Sequence, residues 1–251
     1  MLKALFLDMD ETLCDTMSAN EQAKSQMGLY VEKQFGQQLT VTLDGEAFAS
    51  DYVHGIYREW SPSQRERYMP IIEQQSEGAY RIQLIRDLLA RCGIDNVEEA
   101  EAIFIQQKFD KDRIAAFDFY PGIAEFLQTA RQLFTLVVIT NGPVYSQIPK
   151  IERVKLADYV DHIIIGGQEP EQKPAVSIFE KALKLAACEA HEAIQVGDSL
   201  HSDIQGANNS GITSVWVQHQ QPLDAELGIN PSHTVLTPTE IPALIRDIHG
   251  K

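Results

Sequence analysis

The stretch Leu2-Lys3-Ala4-Leu5-Phe6-Leu7-Asp8-Met9-Asp10-Glu11-Thr12 decides the fold. Its apolar run is short and stops abruptly at acids, which is the pattern of a strand buried on both faces of a parallel sheet. In an open α/β sheet, ligands bind beyond the carboxyl ends of the strands. The run therefore begins a sheet and delivers Asp8 and Asp10 to its reactive edge.

Beyond it the chain changes character. From about residue 18 to 115 the periodicity is helical and strand signals are nearly absent. Ser18 with Glu21 three residues later has the form of a capping box. Further helices are predicted over 46–60, 62–76, 79–92 and 97–113, with Gly93 placed where a helix stop belongs. After Tyr120-Pro121-Gly122 strands and helices alternate. Strands are expected over 134–140, 162–165, 193–196, 213–217 and 234–236, and helices after Pro143 and over 175–187, 200–210 and 239–248. The predicted architecture is α/β: a Rossmann-like parallel core formed by residues 1–16 and 117–251, interrupted by an all-helical cap domain of residues 17–116.

Composition bounds the function. A chain of 251 residues, 44% of them hydrophobic, has material for one large core or two unequal ones. Its net charge of -15 repels phosphate backbones and anionic lipid, so neither nucleic acid nor membrane is expected as a partner. The three cysteines, Cys14, Cys92 and Cys188, have no metal-ligand spacing and suit free thiols in a reducing compartment. The first apolar run meets Asp8 too soon for a signal peptide, and no stretch has the length of a membrane span. The expectation is a cytoplasmic protein, monomer or homodimer, acting on a small molecule.

Three predicted strands end in polar clusters, and a further cluster lies on a nearby loop. They are Asp8-Met9-Asp10-Glu11-Thr12, Thr140-Asn141-Gly142, Lys173-Pro174 and Gly197-Asp198-Ser199 with Asp203 beyond. Asp8 and Asp198, on neighbouring strands, can share one hard cation, and Mg2+ prefers such oxygen ligands. A cation there lowers the repulsion between an anionic nucleophile and an anionic substrate. Lys173 adds a positive charge, while Thr140 and Asn141 offer hydrogen bonds to phosphoryl oxygens. Asp10 is free to give a proton to a leaving oxygen and later to take one from water.

This ordered set, D-x-D-x-T, T-N-G, K-P and G-D-S-x3-D, resembles the haloacid dehalogenase-like hydrolase superfamily over nearly the whole chain. The resemblance implies an aspartyl-phosphate on Asp8, with Asp10 as general acid and base. It implies Mg2+ held by Asp8, Asp198 and the backbone carbonyl of Asp10. Thr140, Asn141 and Lys173 would bind the phosphoryl group, and Asp203 would act through water or through Lys173. The helical insert would be that family's mobile cap. Within the superfamily, residues 165–179 and 196–206 resemble the N-acylneuraminate-9-phosphatase branch, and related nucleotidases share much of the second stretch.

The expected function is thus a magnesium-dependent phosphomonoesterase of a small phosphorylated metabolite, a sugar phosphate or an acylneuraminate 9-phosphate. The alternatives are a nucleotide 5'-phosphatase, a sugar phosphomutase, a 2-haloacid dehalogenase or a non-catalytic binding protein. Halide displacement needs no proton donor, so the presence of Asp10 argues against it. Thr12 is read as holding the turn, Asp15 as a turn or hinge acceptor, Cys14 as a packed thiol and His201 as exposed. Among the residues of 17–116, Tyr52, Tyr57, Trp60 and Tyr80 are assigned to the core. The cations Lys24, Lys33, Arg58, Arg65, Arg67, Arg81 and Arg86 are assigned mainly to solvated pairs.

Overall fold

The opening run forms strand β1, Ala4–Leu7, with all four residues buried, in the computed structural model, which describes residues 1–36, 43–219, 221–222 and 227–250. The helices α1 (Thr16–Phe35), α2 (Gly45–Ile56), α3 (Pro62–Gln74), α4 (Glu77–Arg91) and α5 (Glu99–Ala116) follow. The chain then alternates through α6 (Ile123–Ala130), β2 (Thr135–Thr140), α7 (Val144–Arg153), β3 (His162–Ile165), α8 (Val176–Ala186) and β4 (Ala193–Gly197). It ends with α9 (Gly206–Asn209), β5 (Thr213–Val217), β6 (His233–Val235) and α10 (Ile241–His249). The chain divides into two units, one of Met1–Met17 with Phe117–Lys251 and one of Ser18–Ala116.

The first unit is built on a six-stranded sheet of order β3-β2-β1-β4-β5-β6. Every pairing is parallel. The alternation of side chains along a strand puts Ala4, Phe6, Val137, Ile139 and Ile164 on one face, where they pack with Ile178, Phe179 and Ala182 of α8. Leu5, Leu7, Leu136 and Val138 take the other face and are equally buried. Burial on both faces is why these strands read as unbroken apolar runs. From β1 the order runs to β2 and β3 on one side and to β4, β5 and β6 on the other, so the topological switch lies between β1 and β4. Leu7 aligns with Val138 of β2 and with Val196 of β4. Asp8, Thr140 and Asp198 therefore leave the sheet at nearly one level.

The regular elements among the described residues of the second unit are all helices, and they enclose a core of their own, including Met27, Val31, Phe48, Tyr52, Tyr80, Leu84, Leu88, Ile105 and Phe109. Asp44, Ser61 and Ser76 cap α2, α3 and α4 by accepting from the third residue beyond, and Ser61 with Gln64 forms a complete capping box. Gly93, with φ of 87°, closes α4 as its sequence position predicts.

Four readings change. Helix α1 starts at Thr16, so Ser18 lies inside it and does not cap it. The Glu11 carboxylate instead takes the early amide of Met17 at 2.6 Å. The helix predicted over 200–210 opens as a π-helical turn, Leu200–Gln205, before α9. Tyr57 is 53% exposed and outside the core, having passed the end of α2. Arg81 is no solvated cation: it is buried, donating to Tyr52 and bidentately to Asp110. That pairing and the fork geometry of guanidinium are what make its burial tolerable.

Candidate active site

Asp8 follows β1 directly, and its amide is held by the Val196 carbonyl at 2.9 Å, which ties the end of β1 to β4. The next residues form a tight loop in which the Leu13 and Cys14 amides both return to the Met9 carbonyl. Glu11 sits in this loop with φ of 56°. It accepts from the Tyr120 hydroxyl at 2.8 Å as well as from Met17, and its carbonyl contacts the His219 ring.

Lys173 is buried, with its ammonium 2.6 Å from Asp8 Oδ1 and 2.6 Å from Asp203 Oδ1. Its main chain is clamped by Asn141, whose Nδ2 donates to the Lys173 carbonyl at 2.9 Å and whose Oδ1 accepts from the Lys173 amide at 3.0 Å. Asn141 thus places Lys173. Asp203 is wholly buried and also accepts from Gln195 at 3.0 Å and from the Ser199 amide at 3.1 Å. The π turn brings it back: the Asp203 and Ile204 amides both bond the Ser199 carbonyl. The approach needs glycine at 197, because a Cβ there would lie 2.1 Å from Asp203 Cγ. Asp198 is anchored by its carbonyl, which accepts from the Trp216 indole at 2.8 Å.

The carboxylates of Asp8, Asp198 and Asp203 offer oxygens within 4.8 Å of one another. Lys173 neutralises part of this charge, and the remainder falls on Asp8 and Asp198. Burial pushes Asp8 up to about 7, with Lys173 opposing and Asp203 and Asp10 adding repulsion. Burial and the charges of Asp8 and Asp203 push Asp198 up to about 8. Two carboxyls, Asp8 buried and Asp198 partly buried, that resist ionisation together are what a divalent cation with oxygen preference would relieve, so the donor set fits Mg2+. Lys173 itself is raised: burial opposes its charge, but Asp203 and Asp8 outweigh burial.

Asp10 turns to different partners. Its two oxygens lie 2.8 and 3.0 Å from the Lys150 ammonium, and it accepts from Thr16 at 2.5 Å and Gln147 at 3.0 Å. Burial would raise its pKa, but the charge and hydrogen bonds of Lys150, with Thr16 and Gln147, hold it below the usual carboxylate value. Gln147 also donates to the Thr140 hydroxyl at 2.8 Å. Lys150 and Gln147 escape a reading of the sequence; only their spacing of three on the helix after T-N-G could have suggested them. Of the minor readings, Cys14 is a buried free thiol pushed up by burial, and His201 is exposed. The Thr12 hydroxyl is buried with no hydrogen-bond partner, so it is not what holds the turn.

A family profile for haloacid dehalogenase-like hydrolases matches residues 2–211, most of the chain. The chain belongs to that family. Among curated relatives, the hydrolase is 26% identical to rat (Rattus norvegicus) N-acylneuraminate-9-phosphatase, over 100% of its own length and 96% of the relative's. It is 30% identical to the glyceraldehyde 3-phosphate phosphatase of Pyrococcus abyssi over 87% of its own length and 82% of the relative's. Its fold is shared with the HAD-hydrolase YfnB of Bacillus subtilis, with a TM-score of 0.66, 20% identity and coverage of 97% and 98% of the two chains. Among the described residues no helix of the hydrolase is long and apolar enough to cross a membrane.

Proposed function

We propose that the hydrolase is a magnesium-dependent phosphatase of small phosphorylated metabolites that works through an aspartyl-phosphate on Asp8. The observation that carries the proposal is Lys173, buried between Asp8 and Asp203 beside Asp198. This is a nucleophilic carboxylate with its charge compensated on one side by a fixed cation and on the other by a cation-fitting pair of acids. Relatives named as phosphatases of acylneuraminate 9-phosphate and glyceraldehyde 3-phosphate support the substrate class. A sugar-acid or sugar phosphate is the substrate proposed.

Asp8, Asp198 and the main-chain carbonyl of Asp10 would hold Mg2+, which when bound supplies positive charge against the phosphoryl oxygens and the Asp8 carboxylate. Lys173 engages two of its three protons with Asp8 and Asp203, which fixes the direction of the Asp8 carboxylate and leaves one proton for the phosphoryl group. Gln147 donates to the Thr140 hydroxyl, whose own proton faces the Asn141 carbonyl at a long 3.4 Å and would turn to a phosphoryl oxygen when substrate binds. Asp10 rests ionised beside Lys150 and must take up a proton from solvent before it can act as an acid. In the first step an Asp8 oxygen forms a bond to phosphorus, the bond to the leaving oxygen breaks, and Asp10 passes that proton to the leaving oxygen. In the second, Asp10 takes a proton from water as the water oxygen bonds phosphorus and the bond to Asp8 breaks. Inorganic phosphate leaves, Asp10 gives up its proton to solvent or keeps it for the next turnover, and Asp8 returns to its starting state. The helical unit of residues 18–116 is assigned the part of a substrate-selecting cap.

Phosphate release from a panel of phosphorylated metabolites with Mg2+ tests the proposal. Asp8→Asn should abolish turnover, a loss of at least about a thousandfold, with an unchanged circular dichroism spectrum. Halide release from a 2-haloacid without any phosphatase activity would point instead to dehalogenation, and isomerisation of a hexose 1-phosphate to a mutase.

A further inference from the structure

The contacts of Asp10 are more elaborate than a solvated acid at a strand end requires. Lys150 is 5% exposed, and burying an ammonium is unfavourable unless the charge is met. Its nitrogen meets both oxygens of Asp10, at 2.8 and 3.0 Å, and stands 5.6 Å from the centre of the Phe117 ring. Gln147, 3% exposed, donates to Oδ2 of the same carboxylate. The acceptors around it settle which end of the Gln147 amide faces them. Asp10 Oδ2, the Thr140 hydroxyl oxygen and the Asn141 carbonyl all surround the amide nitrogen, at 3.0, 2.8 and 2.5 Å. One amide group therefore links the acid/base to a phosphate-binding hydroxyl. Both side chains come from α7, the helix that follows Thr140-Asn141-Gly142.

A group that must pass a proton to one particular oxygen gains rate from being aimed, since small misplacements of a reacting group lower rates steeply. We propose that Lys150, assisted by Gln147, is a positioning residue for Asp10, holding its carboxyl group in the orientation from which it protonates the leaving oxygen. The inference rests on the phosphatase reading and adds to it a residue that acts only through Asp10. The side-chain contacts of the Lys150 ammonium are with Asp10 and the Phe117 ring.

The demand for protonation depends on the leaving group, and this separates aiming from folding. p-Nitrophenolate departs with little help, whereas the more basic phenolate of phenyl phosphate needs the proton. The ratio kcat/KM reports the steps up to the first phosphorus–oxygen cleavage and so excludes the hydrolysis of the aspartyl-phosphate. Lys150→Met should lower kcat/KM roughly tenfold or more on phenyl phosphate but less than about threefold on p-nitrophenyl phosphate. Lys150→Arg, which keeps the charge, should recover most of the phenyl phosphate activity. In an Asp10→Asn background Lys150→Met should have no further effect, because residues acting as a unit are not additive. Should Lys150→Met not fold, Gln147→Leu is read on the same pair of esters and should show the same selectivity. Equal losses on the two esters, a gain on phenyl phosphate, or an additive loss in the Asp10→Asn background would overturn the assignment. A wild-type protein that released phosphate from neither ester would overturn the phosphatase reading, and the role of Lys150 with it.

Discussion

At the scale of single residues, Lys173 shows how function and stability are set by the same atoms. Its ammonium faces two carboxylates, of which Asp203 has no exposure at all. Such a pair need not add net stability, but removing one partner leaves the other charge buried and unmet, at about 3–5 kcal/mol. Lys173→Met should therefore lower the unfolding free energy by about that much in urea titration and abolish phosphate release. Combining it with Asp203→Asn should return part of the stability, because the more deeply buried of the two orphaned carboxylates is gone, and none of the activity. A double variant as unstable as Lys173→Met would show that Asp203 is not the group left unpaired. These residues were legible because each carries a distinct chemical duty at a fixed place in a motif. Lys150 and Gln147 were not, since a lysine and a glutamine on a helix have no such mark until the fold brings them across the sheet to Asp10.

Elements explain how the acids converge. A regular helix over the four residues between Asp198 and Asp203 would carry Asp203 past the site. The π turn over Leu200–Gln205 instead folds Asp203 back against β4, where Gln195 and the Ser199 amide receive it. This works only because residue 197 has no side chain: Gly197→Ala would put a methyl group 2.1 Å from Asp203 Cγ. Displacement of Asp203 would release Lys173. Gly197→Ala is expected to destabilise by about 1–3 kcal/mol, as overpacking does, and to lower kcat at least tenfold on the principle that misplacement impairs transfer. Normal kcat with a normal melting temperature would mean that β4 yields without moving Asp203. Strand positions were readable from apolar runs buried on both faces. The start of α1 and the π turn were not, because a distant carboxylate satisfies Met17 and a local rearrangement breaks the helical period.

At the scale of the whole molecule, alternation of strands and helices made the parallel sheet legible. The polar clusters showed which edge of it is reactive. What the sequence could not express is the imbalance of charge that the fold creates there, and this can be measured as stability. Asp8 and Asp198, raised by burial to about 7 and about 8, ionise later in the folded chain than in the unfolded one, where carboxyls ionise near pH 4. Below about pH 4 both are protonated in either state and these groups impose no penalty. As pH rises the unfolded chain gives up these protons first, so the folded chain binds more of them and stability falls. The fall should be complete once the folded groups ionise, just above pH 8. In EDTA the melting temperature should thus decline between pH 5 and pH 8, and Asp198→Asn should flatten that decline by removing one of the two acids. Added Mg2+ should raise the melting temperature little at pH 5, where protons compete for its ligands, and much more at pH 8, where both carboxylates are free to bind it. Equal stabilisation by Mg2+ at the two pH values would mean that the cation binds elsewhere than between Asp8 and Asp198.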